Sequence, residues 1–387
     1  MAEISDSWRR LWGRRITRRR LMAGTALGAA GLATAAVLGC KDEGAPAGTP
    51  TGEALTGPLN FSNWPLYIDE QTLPDFEAQF GITVNYKEDI NDNNEFFAKI
   101  RQPLSQGQDI GRDIIVLTDW MAGRLIRLGY VDELNKENIP NWVNLVDALK
   151  NPSFDLGREF SLPWQSGFTG IGYNPKLTGR ELKSVNDIFD PKFEGHVTML
   201  TEMRDTIGLV MLGLGRDPTK ATVDDVRAVV EKVQPFADSG HIRAFTGNEY
   251  GDDLARGDVW AAIAWSGDVI QLQVDNPDLQ FLFPEEGFML WSDNMMIPKN
   301  AAHKATAEAF MNFYYDPKIT AQVEAYVQYI PPVKGTKEEM AKIDPALAEN
   351  PIIFPSEDVL AKSRIFKALD EEEDREFNEL FQALTGL

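Results

Sequence analysis

Asp113-Ile114-Ile115-Val116-Leu117-Thr118-Asp119-Trp120 is the stretch that decides the fold. Ile114 to Leu117 form an unbroken apolar run. A strand that is apolar on both faces is buried on both, as in a parallel sheet covered by helices. On either side of it, 94–105 places Phe97, Ile100 and Leu104 on one helical face, and 121–128 reads as a helix stopped by Gly129. Further upstream, 59–62 and 82–86 read as strands around a helix at 70–80, with Leu73, Phe76 and Phe80 at helical spacing and Gly81 at its end. This alternation predicts an α/β fold with a mainly parallel sheet. Downstream, strands are expected at 160–163, 170–174, 196–200, 259–265 and 279–283. Helices are expected at about 205–214, 223–236, 305–329 with a break at Pro317, and two more within 356–384. No internal repeat is visible.

The composition narrows the function. Of 387 residues, 43% are apolar, enough for a sizeable core, so wholesale disorder is excluded. A net charge of −21 repels phosphate backbones and argues against a nucleic-acid partner, while favouring a cationic one. One cysteine excludes an intramolecular disulfide framework and any multi-cysteine metal site, and three histidines argue against histidine-rich metal chemistry. No cofactor or metal is expected.

The N-terminus reads as an address. Seven arginines precede residue 21, residues 21–39 carry no charge, and Cys40 follows at once. A basic region, an apolar stretch and a small residue before a junction describe an export signal over 1–39. Thr17-Arg18-Arg19-Arg20-Leu21-Met22 resembles the twin-arginine export motif, with the general secretory route as the alternative. Val37-Leu38-Gly39-Cys40 resembles a lipobox, in which Cys40 is lipidated and becomes the mature N-terminus. A transmembrane helix is the rival reading, but the uncharged stretch is dominated by weakly apolar Ala, Gly and Thr. Without the leader the charged residues number 31 against 57, a net −26. Residues 40–58, rich in Gly, Pro, Ala and Thr, read as a flexible lipid-anchored tether. The expected location is the outer face of the cytoplasmic membrane.

Ligands of open α/β sheets bind beyond the carboxyl ends of the strands. Those positions here carry Asn63-Trp64-Pro65-Leu66-Tyr67, Thr118-Asp119-Trp120, Thr201-Glu202-Met203-Arg204-Asp205, Trp265-Ser266-Gly267-Asp268 and Trp291-Ser292-Asp293. A single Trp after a strand is ordinarily core, and a single acid ordinarily a solvated cap. The recurrence of both at loop after loop suits an alkyl-ammonium ligand: indole faces attract the cation and carboxylates pair with it.

On these residues the chain resembles the periplasmic polyamine-binding proteins of ABC importers, the spermidine/putrescine class. The resemblance runs from about Leu59 to the C-terminus and is weaker over the last fifty residues or so. Further marks are Gly170-Ile171-Gly172-Tyr173-Asn174 and Pro284-x-Glu286-Gly287-x-x-x-Trp291-x-Asp293. It implies the bilobal type II periplasmic-binding-protein fold, with two parallel or mixed α/β lobes joined by crossover strands and closing on ligand without catalysis. The bounds it implies are 59–165 for the first part of lobe 1, 166–292 for lobe 2, 293–335 for a return to lobe 1, and 336–387 for C-terminal helices on lobe 2. The hinge is expected near 164–167 and 293–298. By position, Trp64, Tyr67, Thr118 and Trp120 are implied as first-lobe contacts, Glu202 and Asp205 as amine-binding acids, and Trp265 and Trp291 as stacking rings. Asp293 is implied as the central carboxylate and Tyr329 as a late tyrosine of the cleft. The implied partners are a polyamine, a permease with its ATPase, and the membrane through the lipid, with the protein itself a monomer. One departure stands out. The family carries a hydroxyl residue and an acid where this chain has Pro65 and Leu66, so one amine-binding carboxylate is missing.

Two rival readings remain. A carboxylate-based hydrolase would use Glu202, Asp205 and Asp293. A ferric-ion binder of the same fold would use adjacent tyrosines, and Tyr314-Tyr315 is such a pair, with one ring expected in the core and the other at the surface. The acidic run Asp370–Asp374 reads as a solvated helix start.

Overall fold

The computed structural model describes residues 54–386. The leader, Cys40 and most of the tether lie outside them, and with them the export and lipidation expectations. Among the described residues no helix is long and apolar enough to cross a membrane.

The opening stretch folds as its pattern predicts. Strand β3 (Ile114–Thr118) is buried along its apolar run. Asp113, 1% exposed, takes the backbone N–H groups of Asn60 and His303, so the acid that opens the strand is satisfied. β3 lies parallel to β1 (Leu59–Asn63), which lies parallel to β2 (Val84–Glu88). Helices Thr72–Phe80 and Asn93–Ser105 make the connections. A second parallel set holds β5 (Val197–Leu200), β6 (Ile242–Thr246) and β7 (Ala261–Trp265).

Between the two sets run β4 (Ser161–Tyr173) and β9 (Phe288–Met296), antiparallel to each other. With β8 (Gln280–Leu282) pairing β4 and β10 (Ser363–Arg364) pairing β9, the order is β2-β1-β3-β9-β4-β7-β5-β6. The chain crosses between the parallel sets on β4 and returns on β9. This is the mixed α/β arrangement of the type II periplasmic-binding-protein fold.

β4 corrects the sequence reading. Two short strands at 160–163 and 170–174 were expected, with a hinge between them. The structure has one strand of 13 residues, buried throughout. Pro163 has no N–H to give, and the register slips between Pro163 and Gln165, leaving Trp164 bulged out of the ladder. The sequence pattern predicts no strand over β9, because Ser292, Asp293 and Asn294 interrupt its apolar pattern. Its polar residues are paired: Asn294 receives Arg158 at 2.8 Å and donates to Asp119 at 2.7 Å.

Two more expectations change. Tyr314 and Tyr315 are both fully buried, and each hydroxyl donates to a backbone carbonyl, of Trp164 and Pro163 respectively. Tyr314 also stacks on Trp164, with centroids 4.1 Å apart. This pair props the bulge and is not free to hold a metal. The C-terminal stretch 336–387 does not pack as one body. Helix Thr336–Ile343 lies on helix Pro317–Val327, whereas helix Glu371–Thr385 lies on helix Val223–Asp238. An apolar stripe buries against whichever face is uncovered, and Phe377, Phe381 and Leu384 form the stripe of the last helix.

Candidate functional site

Ends of strands from both parallel sets meet the crossing strands around a cavity of about 620 Å³. All ten residues singled out from sequence line it: Trp64, Tyr67, Thr118, Trp120, Glu202, Asp205, Trp265, Trp291, Asp293 and Tyr329. The backbone delivers them by different routes. Trp64 follows β1, Thr118 ends β3, Glu202 follows β5, and Trp265 ends β7. Trp291 and Asp293 lie within β9 rather than beyond a strand end.

The rings form a connected wall. Trp64 meets Trp265 edge to face at 6.0 Å, Trp265 meets Trp291 at 6.5 Å, Trp291 meets Tyr329 at 5.5 Å, and Tyr329 meets Tyr67 at 5.3 Å. Two glycines make this approach possible. A Cβ on Gly167 would stand 2.5 Å from the Trp291 ring, and one on Gly267 would stand 2.3 Å from the Tyr329 ring.

Carboxylates are set into this wall by hydrogen bonds from it. Asp293, 4% exposed, accepts from Tyr67 Oη at 2.9 Å and Thr118 Oγ1 at 2.8 Å. Asp205 accepts from Thr169 Oγ1 at 2.7 Å and Trp265 Nε1 at 3.1 Å. Glu202, also 4% exposed, accepts from the Asn93 backbone N–H at 2.7 Å and from Asn93 Nδ2 at 2.8 Å, both at Oε1. Asp268, a residue absent from the sequence-derived set, accepts from Tyr329 Oη at 2.7 Å and Tyr250 Oη at 2.8 Å. Its signal was present, as the acid of Trp265-Ser266-Gly267-Asp268, but the run gave no reason to prefer it to a helix cap.

Burial governs the acidity of these groups. Loss of hydration pushes the Asp293 carboxyl up to about 7, against the lowering effect of the hydrogen bonds from Thr118 and Tyr67. Burial pushes Asp205 up to about 6, again against its two hydrogen bonds. Glu202 is raised by burial and then by the charge of Asp92, and Asp268 is raised by burial. Four acids thus share an aromatic box, each raised because burial outweighs the donors that hold it. A cation entering the box would favour the charged form of each acid it met.

The box does contain an arginine, which sequence reading passed over. Arg204 lies with Cζ 3.9 Å from the Trp120 ring centroid. Its Nη2 donates to Asp374 at 2.8 Å, and Asp374 also holds Arg124. Burial pushes the Arg204 guanidinium down to about 9. The acidic run at 370–374 is therefore only partly a solvated start: Asp370 caps its helix, while Asp374 is enclosed between two arginines. Trp120 is in the cavity wall, but this face of its ring is covered by Arg204.

The missing acid is missing in three dimensions too. Pro65 lines the cavity, and Leu66 is 47% exposed with φ 58°, its N–H donating to Glu88 Oε1. Among the described residues no cluster of three or more His, Cys, Asp or Glu is arranged to hold a metal ion.

Known proteins resemble this chain over most of its length. Residues 71–355 match a family described as bacterial extracellular solute-binding protein. The putrescine-binding periplasmic protein PotF of Escherichia coli is 29% identical over 351 residues, covering 85% of this chain and 90% of the relative. The spermidine/putrescine-binding periplasmic protein 1 of Haemophilus influenzae is 24% identical over 336 residues, covering 86% and 91%. Among solved structures, the spermidine/putrescine ABC transporter substrate-binding protein PotD of Streptococcus pneumoniae superposes with a TM-score of 0.69 at 25% identity, covering 84% of this chain and 98% of that one.

Proposed function

The chain belongs to the bacterial extracellular solute-binding protein family, and from that premise we propose that it captures polyamines for an ABC importer. The observation that carries this reading is the box of four buried acids walled by Trp and Tyr. Such a box is stabilised by a linear cation with apolar methylenes: the carboxylates neutralise the ammonium groups and the rings cover the chain between them. In this reading Asp293 is the central carboxylate, Asp205 and Asp268 flank it, and Trp265, Trp291 and Trp64 stack. With no acid at Leu66, the carboxylates available to the amines in this reading are Asp293, Asp205, Asp268 and Glu202.

The parallel sets are the cores of two lobes, and β4 and β9 are the crossovers that bend. Hydrogen bonds already join the proposed lobes: Asn93 to Glu202, Thr201 Oγ1 to Asp92 Oδ2 at 2.9 Å, and Asn91 Nδ2 to Glu249 Oε1 at 2.9 Å. Ligand shifts the population toward closure by binding the closed form more tightly than the open one. The closed form, held to the outer face of the membrane through lipid on Cys40, then docks as a monomer on a permease whose ATPase drives import.

Titration with putrescine, spermidine, spermine, agmatine and neutral amino acids, read by Trp fluorescence and melting temperature, tests the reading. Cationic amines are expected to raise the melting temperature, since stabilisation follows RT ln(1 + [L]/Kd). Silence from every cation sinks the polyamine assignment. Asp293→Asn is expected to weaken binding at least about tenfold, or about 1.4 kcal/mol. Unchanged affinity would remove Asp293 from the ligand carboxylates.

A further inference from the structure

The cavity does not end at the acid box. Its lining also takes in two apolar sets beside Arg124, Arg127 and Lys367, one side contributed by Leu149 and Phe154 and the second by Leu360, Ile365, Phe366 and Leu369. The second side lies beyond residue 355, where the match to the family ends. Its place is fixed by the sheet. β10 pairs in parallel with β9, Ser363 beside Phe288 and Arg364 beside Met289. The chain therefore leaves that pairing at Ile365, next to the stretch of β9 that carries Trp291 and Asp293 into the box. Phe366 is then pinned from behind: it meets Phe377 of the last helix edge to face at 6.4 Å, and a Cβ on Gly208 would stand 3.1 Å from its ring.

The carboxylates in this part of the cavity are already paired, and the surplus charge is cationic, with Nε and Nη1 of Arg204 left without a partner. Asp374 is held by Arg204 and Arg124. Lys367 is paired with Glu373 and donates to the Ala221 carbonyl at 3.2 Å. A further ammonium group of a long polyamine would find no unpaired carboxylate here, and its desolvation would go uncompensated. A hydrocarbon finds the opposite. Leu360 is 40% exposed and Ile365 is 58% exposed at the rim, apolar surface that water covers at a cost until something apolar replaces it.

We propose that the preferred ligand is an amine bearing an apolar arm, with its cationic nitrogens in the acid box and the arm against Leu149, Phe154, Leu360, Ile365, Phe366 and Leu369. The inference rests on the amine-binding reading given above and specifies its ligand. The cavity volume of about 620 Å³ falls within the range of roughly 300–1,000 Å³ typical of pockets for ligands well above a short diamine in size.

Calorimetric titration with putrescine, its N-butyl, N-hexyl and N-octyl derivatives, and spermine as the charged-arm control tests it. Affinity is expected to rise about twofold to fourfold per added methylene until the wall is covered, as burial of hydrocarbon predicts. Spermine is expected to gain nothing over putrescine. In the double variant Leu360→Ser, Ile365→Ser, both positions being exposed enough to tolerate the change, the hexyl-to-putrescine affinity ratio should fall at least about fivefold. A ratio is read because a general loss of structure lowers both affinities and leaves it unchanged. Putrescine binding with a flat or falling alkyl series overturns the inference and leaves the amine reading standing. An alkyl gain that survives the double variant also overturns it, because the arm then lies elsewhere. Binding of no amine at all, putrescine included, overturns both.

Discussion

Trp120 and Trp265 occupy matching places in the two halves of the molecule and meet different fates. Each stands at the carboxyl end of a buried strand where a helix begins, β3 for one and β7 for the other. Trp265 is 6% exposed, its Nε1 holds Asp205, and its ring leans edge to face on Trp64, Trp291 and Tyr250. Trp120 is capped at 3.9 Å by Arg204, which Asp374 holds in place from the last helix. The strand end carries a side chain to the cavity. Whether its face is free depends on residues far along the chain.

The largest expected effect breaks the cap. Asp374→Ala leaves Arg204 and Arg124 enclosed without their anion, which costs about 3 kcal/mol of folding free energy. Urea denaturation measures it, and a loss below about 1 kcal/mol would place the pair with ordinary surface bridges. The same variant uncovers Trp120, so its fluorescence is expected to shift as well.

The pH response comes next. Asp293 and Asp205 hold protons up to about 7 and about 6 in the ligand-free fold, against about 3.9 in an unfolded chain. The folded state binds the extra protons in that window, so these groups make ligand-free stability fall as pH rises from about 4 to about 7. A cation must displace those protons, so affinity moves the other way. It is expected to rise by up to about tenfold per pH unit below 7 for each proton released. Titrations in two buffers of different ionisation enthalpy count the protons directly, and a pH-independent affinity would show that neither acid meets the ligand.

The smaller effects bear on the two indoles themselves. Trp265→Phe removes the N–H that holds Asp205 and is expected to weaken amine binding about tenfold. Trp120→Phe should cost less than about twofold, because its covered face offers the ligand little. Equal losses would mean that Arg204 moves aside when ligand arrives.

Much of this was legible in the residues. The strand-helix alternation up to residue 129 gave the first parallel set, and every residue chosen at a strand tip lines the cavity. What sequence hid has a common cause. β9 was unreadable because its polar centre, Ser292-Asp293-Asn294, is satisfied by partners outside it such as Thr118, Tyr67 and Arg158. β4 read as two strands because its middle is defined by pairing with β9. Tyr314-Tyr315 looked like a metal-ligand candidate because adjacency is visible in sequence, while the Trp164 and Pro163 carbonyls that take the hydroxyls are not. Asp374 looked solvated because nothing near it in sequence announces Arg124 or Arg204.

By itself, then, the sequence determined the α/β class, the strand tips that furnish the cavity, and the chemistry of aromatics and acids collected there. These are properties of periodicity and residue type, which act locally. Tertiary structure alone decided which acids stand together, how far burial raises each, which indole face is covered, and that the tail supplies an apolar wall to the same cavity. Those depend on desolvation and on pairs separated by tens to hundreds of residues, and neither has any value until the chain has folded.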